Sequence, residues 1–324
     1  MPRRALLAAL AVAALAAAAA AHAFGRGSGT AMSVTLDWTP NPDHVGLFDA
    51  RDTGLFAKHG LDVTIRAPSD PTAPLTLVGV GRTDVAVSYE QEVFFAAAKK
   101  LPVVAVAAVV PQPLNSFMSI EPSVRTLANL RGRTIGITGV PSDYATLKTA
   151  GLSGHVKIVT VGYNLLPALL SHRVDAVLGV YRNVEGVQLQ LRGLHPTIIP
   201  VDRAGVPTYD ELVLVASKSR LRNAAYRSEV QRFVTAFLAG TRDARRHPAR
   251  ALALLKKDTA SDAKFLARAT PATLRLLAGR KGVGCLSVAD WRRFGAWMVD
   301  QRLLDRPVAA SSVVTTRFLP RSCR

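Results

Sequence analysis

The chain has 324 residues, with 41 Lys and Arg against 23 Asp and Glu, a formal net charge of +18, and 49% hydrophobic but only 6% aromatic residues. That length exceeds what a single hydrophobic core usually fills, and the ordinary apolar and charged shares exclude disordered, collagen-like and disulfide-scaffold classes. Two cysteines, Cys285 and Cys323, are too few for a zinc ribbon or an iron–sulfur cluster.

Met1-Pro2-Arg3-Arg4 is a short basic start, Ala5 to Ala20 is an unbroken apolar run, and Ala21-His22-Ala23 has the small-x-small form of a cleavage site. Residues 1–23 are therefore expected to be a signal peptide, the alternative being a retained membrane anchor. Residues 24–31 read as a Gly/Ser-rich linker. Removing Arg3 and Arg4 with the leader leaves +16. The expectation is an exported protein, periplasmic or at the cell surface, with no cysteine at the cleavage point to take a lipid. In an oxidising compartment Cys285 and Cys323 are expected to pair as a disulfide, two free thiols being the alternative.

From Met32 onward, short β runs alternate with helical stretches. Val34, Leu36 and Trp38 alternate as a strand that ends at Pro40-Asn41-Pro42, and a helix runs from Asp43 to Gly54. Leu61 to Ile65 reads as strand, Thr72 to Val80 as helix, Val85 to Val87 as strand, Glu90 to Lys100 as helix and Val103 to Val110 as a buried strand. Pro111 to Asn115 is a crossover. A second series follows, with strands over Thr134–Ile137, Val156–Val161, Ala176–Val180 and Thr197–Val201, and helices from Asp143, Leu165 and Asn183. Leu212 to Ala216 is a returning strand, and everything beyond Ser219 reads as helical and basic, with Pro248 at the first position of a helix. Such alternation predicts an α/β architecture of mostly parallel sheets flanked by helices.

One passage occurs twice in outline. Arg82-Thr83-Asp84 followed by Val85-Ala86-Val87-Ser88-Tyr89 is echoed by Arg173-Val174-Asp175 followed by Ala176 to Tyr181. Acidic residues follow each tyrosine, Glu90 and Glu92 in one case and Glu185 in the other. In doubly wound sheets ligands sit beyond the carboxyl ends of the strands, so two such lobes would each turn a Tyr and an acid toward one crevice; two structural tyrosines are the alternative.

Catalytic templates are absent: no Walker loop, dinucleotide glycine fingerprint, His-Glu-x-x-His or Gly-x-Ser-x-Gly occurs. No histidines are spaced as metal ligands, and no cofactor is expected. The basic residues lack interleaved aromatics that could stack bases, so nucleic acid is not an expected partner. The richer constellation is Asp37-Trp38-Thr39-Pro40-Asn41-Pro42-Asp43-His44, which sets Trp38, Asn41 and His44 at a strand-end turn, where a doubly wound lobe binds its ligand.

That turn, together with Gly54-Leu55-Phe56, Gly60-Leu61-Asp62-Val63, Gly81 to Tyr89 and Pro102 to Gln112, resembles the NMT1/THI5-like family. The resemblance runs from about Val34 to Trp297-Met298-Val299. It implies a two-lobed periplasmic-binding-protein fold of type II, with lobe 1 made of 32–114 and 213–324, lobe 2 of 115–212, and the ligand clamped at the hinge. It further implies that Trp38, Tyr89, Tyr181 and Glu185 line the cleft. Tyr181, beside Arg182, departs from the Trp that many relatives carry. The loop Gly139 to Asp143 opens a helix, and its N–H groups at Ser142 are offered to ligand oxygens, or it is an ordinary helix start. The fungal pyrimidine synthases of the family carry a cofactor lysine and a sacrificed histidine; Ser88 and Glu92 stand at those positions, so that chemistry is not expected.

The candidate ligand-binding set is thus Trp38, Asn41, His44, Ser88, Tyr89, Gln112, Ser142, Tyr181 and Glu185. The expected function is that of a monomeric, non-enzymatic substrate-binding protein of an ABC importer, delivering a small molecule to a membrane permease. The ligand implied is a planar nitrogen heterocycle such as a thiamine pyrimidine precursor. Riboflavin, a nitrate, sulfonate or taurine ligand, and an exported enzyme reusing the fold stand as alternatives.

Overall fold

A computed structural model describes residues 29–70 and 73–323, so the expected leader and most of the expected linker lie outside the described residues. Two five-stranded sheets organise the chain. The first joins β1 (Thr30–Thr35), β2 (Leu61–Arg66), β3 (Val85–Ser88), β4 (Val103–Val110) and β10 (Leu212–Ser217) in the order β2-β1-β3-β10-β4. The second joins β5 (Asn115–Ser119), β6 (Thr134–Ile137), β7 (Lys157–Thr160), β8 (Ala176–Tyr181) and β9 (Thr197–Pro200) in the order β7-β6-β8-β5-β9.

Each sheet has a parallel core and one reversed strand next to its edge. β10 runs antiparallel to β3 and β4, and β5 antiparallel to β8 and β9. These reversed strands are the first strands after each passage of the chain from one sheet to the other. β5 was not apparent in the sequence, because Asn-Ser-Phe-Met-Ser carries only two apolar residues; pairing on both sides makes it a strand. Strand β4, by contrast, is buried along its whole length, as its unbroken Val/Ala run predicts.

The first strand differs from expectation. It begins at Thr30, inside the stretch read as linker, and ends before Trp38, although Leu36 N–H still donates to the Arg66 carbonyl at 2.9 Å. The expected helix over 43–54 is a 3-10 turn, Pro42–His44, followed by α1 (Val45–Asp52). Gly54, at φ 72, then reverses the chain into α2 (Leu55–Lys58). The remaining helices of the two α/β series are α3 (Pro74–Gly79), α4 (Glu90–Ala98), α5 (Pro141–Thr149), α6 (Leu165–Leu170) and α7 (Glu185–Leu191).

Beyond Ser219 come α8 (Ala224–Arg246), α9 (Pro248–Asp258), α10 (Ala263–Leu276), α11 (Val288–Asp300) and α12 (Ala310–Val313), with Pro248 at a helix start as read from sequence. The region is not purely helical: a small hairpin, β11 (Ala278–Gly279) and β12 (Gly282–Val283), interrupts it. Cys285 and Cys323 form a disulfide with Cα atoms 5.0 Å apart, fastening the chain end to the segment after that hairpin. Closing a loop of this length stabilises by about 3–4 kcal/mol in the chain-entropy account.

Helix α8 lies across α1, and glycines set how closely. A Cβ on Gly240 would stand 2.6 Å from the Gly46 carbonyl oxygen, and one on Gly46 would strike the Thr241 side chain. Only hydrogen at both positions lets the backbones meet. This crossing fixes α1, and through it the turn that carries Trp38 to His44.

Candidate functional site

Two clusters of buried carboxylates and half-buried tyrosines meet where the sheets face each other. In the first, Asp37 follows β1 and is 3% exposed. Its Oδ1 lies 2.7 Å from His44 Nε2, and its Oδ2 accepts from the Tyr89 hydroxyl at 2.8 Å. The Asn41 backbone N–H donates to His44 Nδ1 at 3.2 Å, so the ring proton sits on Nε2, facing Asp37. Burial opposes ionisation of Asp37, but the hydrogen bonds from His44 and Tyr89 outweigh it and hold its carboxyl below the ordinary range.

The second cluster is centred on Glu211, just before β10. Its Oε2 accepts the backbone N–H groups of Leu114 and Asn115 at 2.7 and 3.1 Å and the Tyr209 hydroxyl at 3.2 Å, while Oε1 accepts the Tyr181 hydroxyl at 3.1 Å. Glu211 therefore ties together both passages between the sheets. Burial raises its carboxyl despite those donors. Tyr89 and Tyr181 lie close enough to affect each other electrostatically, so the two clusters adjoin.

Across the same seam, Asn183 Nδ2 donates to Asp43 Oδ1 at 2.7 Å and to Thr273 Oγ1 at 2.9 Å. Asn183 follows β8, whereas Asp43 and Thr273 belong to the first sheet's side, so this contact holds the two halves together. Burial pushes Asp43 up to about 7; the charge of His44 and the hydrogen bond from the Asn183 amide oppose this, while the charges of Asp37 and Glu211 add to it. At the rim, Trp38 is 45% and Tyr163 86% exposed, and their rings stand 6.4 Å apart, tilted by 34°. Tyr163 lies in the β7–α6 loop.

The arrangement has a definite hydrogen-bonding sense. The hydroxyl protons of Tyr89, Tyr181 and Tyr209 point at carboxylates, so each phenolic oxygen keeps acceptor capacity for a further partner. Such a wall suits a ligand rich in N–H donors and repels an anion.

The nine expected residues fall into distinct places. Tyr89 and Tyr181 are members of the network, and Trp38 stands at the rim. His44 is fully buried with both ring nitrogens engaged, so it acts on Asp37. Asn41 is occupied in its own turn, where Oδ1 accepts Asp43 N–H and Nδ2 donates to Thr39 O. Glu185 Oε2 accepts the Tyr181 N–H at 2.7 Å, closing the β8–α7 turn, and burial raises it. Ser88 is buried at the end of β3 opposite Val213. Ser142 is half-buried in the first turn of α5, beside Asp143, whose Oδ2 accepts from Thr138 Oγ1 and Gly139 N. Gln112 lies apart from the tyrosines: its side chain bonds Leu276 O and Arg182 Nη2, and it lines a separate cavity of about 710 Å³ near the hairpin.

Sequence reasoning missed Asp43, Asn183, Glu211 and Tyr163 and gave Asp37 no role. Asp37 and Asp43 lay inside the singled-out turn, but nothing in the sequence showed that Asn183 and Glu211 would reach them. Among the described residues no group of three or more His, Cys, Asp or Glu is arranged to hold a metal, and no helix is long and apolar enough to cross a membrane.

Comparison with known proteins gives this geometry a lineage. The NMT1/THI5-like family model matches residues 41–251. A Haemophilus influenzae protein named for thiamine biosynthesis is 36% identical over 223 residues, covering 67% of this chain and 70% of its own length. The formylaminopyrimidine-binding protein of Halalkalibacterium halodurans is 40% identical over 213 residues, covering 64% of this chain and 62% of its own, under two thirds of that protein. In three dimensions, the periplasmic aliphatic sulphonate binding protein SsuA of Escherichia coli superimposes with a TM-score of 0.68 at 14% identity, covering 89% of this chain and 92% of that one. This last likeness establishes the two-lobed periplasmic-binding-protein fold. The extent of the family match and the Haemophilus relative together place this chain in the NMT1/THI5-like family.

Proposed function

We propose that this chain is the solute-binding component of an ABC importer and closes its two lobes on a small, flat, donor-rich nitrogen heterocycle of the aminopyrimidine class. The observation that carries the reading is the hydrogen-bonding sense of the seam. Asp37 and Glu211 take the hydroxyl protons of Tyr89, Tyr181 and Tyr209, so the phenolic oxygens are left as acceptors. An amino group placed against such oxygens extends a hydrogen-bond chain that ends on a carboxylate, and Trp38 at the rim offers a face for a planar ring. The Halalkalibacterium relative is named for binding a formylaminopyrimidine, which agrees with that chemistry.

In this reading residues 32–114 and 213–324 form one lobe and 115–212 the other, with hinges at the passages tied by Glu211. The chain works as an exported monomer that hands its solute to a membrane permease, without catalysis. Ser88 offers no amine for a Schiff base with a cofactor. The sulfonate reading has one feature in its favour, Arg182, whose Nε is buried without a partner. Its Nη2, however, is held by Gln112 at 2.8 Å, and buried acids surround the seam.

Native mass spectrometry of freshly purified protein from cells supplied with thiamine precursors tests the proposal. The expected result is a bound species with the mass of an aminopyrimidine, released on mild heating. A bound sulfonate or other anion would contradict it.

A further inference from the structure

Among the described residues the surplus of positive charge is confined to one part of the chain. Residues 29–217 carry 15 Lys and Arg against 16 Asp and Glu, whereas 218–323 carry 22 against 7. The last third of the chain therefore holds a net +15, and the remainder of the described structure is close to neutral.

Within that third the charge gathers on consecutive helices. From Arg242 to Arg275, which spans the end of α8, all of α9 and α10, there are nine basic and three acidic residues. The acids are all engaged: Asp243 pairs with Arg250, Asp258 with Arg51, and Asp262 caps α10 through the N–H groups of Lys264 and Phe265. Lys264, Arg268 and Arg275 are exposed and stand at positions i, i+4 and i+11 of α10, a single stripe. The opposite side of α10 is buried through Leu266, Ala269, Thr270, Thr273 and Leu274. Arg245 joins the stripe's end, since its Nε donates to the Leu274 carbonyl at 3.0 Å, and Arg246 and Lys256 are exposed on the adjoining helices.

The same region has no apolar anchors. Among the described residues, every exposed large apolar side chain lies at or before Leu191. A specific protein interface would need buried aromatic or aliphatic anchors, and a single-stranded nucleic acid would need stacking platforms. A dense field of Arg and Lys without either suits a plane of negative charge that is met from outside.

We infer that the α8–α9–α10 face is a docking surface for an anionic phospholipid membrane, which holds the protein at the bilayer by its charge. The contact is peripheral: Arg and Lys heads meet lipid phosphates in the headgroup layer and no side chain enters the hydrocarbon. Because each basic residue near such a surface contributes roughly a fivefold gain in partition at low salt, the stripe suffices for reversible retention. Added salt weakens it as the Debye length shrinks.

Sedimentation of the full chain with vesicles tests this inference, comparing mixed phosphatidylcholine and phosphatidylglycerol with pure phosphatidylcholine at low and at high sodium chloride. The N-terminal segment, with Arg3 and Arg4 beside its apolar run, is the same in every variant, so the readout that isolates the face is the difference between variants on anionic vesicles. The expected result is salt-sensitive preference for the anionic vesicles, reduced at least about tenfold by the triple variant Lys264→Gln, Arg268→Gln, Arg275→Gln. A control triple variant on exposed residues of the other sheet's side, Lys157→Gln, Arg173→Gln, Arg192→Gln, removes the same charge and should keep most of the binding. Equal loss in both variants would reduce the effect to net charge and overturn the surface. Absence of any preference for phosphatidylglycerol, or tighter binding to a DNA duplex at the same salt, would overturn it as well. Circular dichroism of both variants establishes that they remain folded.

Discussion

Asp37 shows how one residue is fitted to its role. A buried carboxylate is costly unless it is hydrogen-bonded, and here His44 and Tyr89 supply the donors. His44 is oriented in turn by the Asn41 N–H, so a turn of eight residues builds its own relay. Replacing Asp37→Asn keeps the size but lets the Tyr89 hydroxyl turn toward the seam as a donor. The affinity for an aminopyrimidine is expected to fall roughly tenfold, about 1.4 kcal/mol, with little change in thermal stability; Ser142→Ala should leave it unchanged. Titration calorimetry measures both, and an unaltered Asp37→Asn affinity would remove Asp37 from the site. The sequence made this turn visible through Trp38, Asn41 and His44, but not that Asn41 and His44 would be bonded within the turn itself. Side-chain type marks where polar chemistry gathers, but which groups satisfy one another is decided by the fold.

Among the elements, periodicity disclosed those with a strong pattern. β4, β8 and the α/β alternation follow directly from apolar runs, and Pro248 marked its helix. β5 and the β11–β12 hairpin stayed hidden because their residues have little preference of their own and are set by partners distant in sequence. Asn183 and Glu211 escaped for a related reason, since each lies in an irregular segment whose contacts span the seam. The α1–α8 crossing could not be read either, as Gly46 and Gly240 are almost 200 residues apart. Gly240→Ala would force α8 from α1 and is expected to cost about 1–3 kcal/mol, seen as a lower Tm with weaker ligand binding because the Trp38 turn moves. If Tm is unchanged, the close approach is not a constraint.

At the scale of the whole molecule, buried acids give stability a definite pH dependence. Burial pushes Asp43 and Asp210 each up to about 7, whereas an unfolded Asp titrates near about 3.9. Between about pH 4 and 7 the folded chain therefore holds protons that the unfolded chain has released, so stability falls as pH rises through that window and levels above it. Asp37 and Asp52, held low, work in the opposite sense only at more acid pH. Tm should be higher at pH 5 than at pH 8, and Asp43→Asn should reduce that difference by raising Tm at pH 8. An unchanged pH slope in Asp43→Asn would show that the Asn183 contact does not hold a protonated partner.

Charge is also segregated across the whole molecule. Buried acids line the seam, whereas the outer helices of the last third carry the surplus of bases. The basic total in the composition therefore describes the outside of the protein and not its ligand. The two-lobed α/β architecture was legible from alternation and from the motifs of the first third, while the acceptor-lined seam was not. That seam carries the central claim, and it is tested most directly by calorimetric titration of the purified chain with a formylaminopyrimidine and, in parallel, with an alkanesulfonate. The account predicts saturable one-to-one binding of the formylaminopyrimidine and none of the sulfonate; sulfonate binding without pyrimidine binding would contradict it.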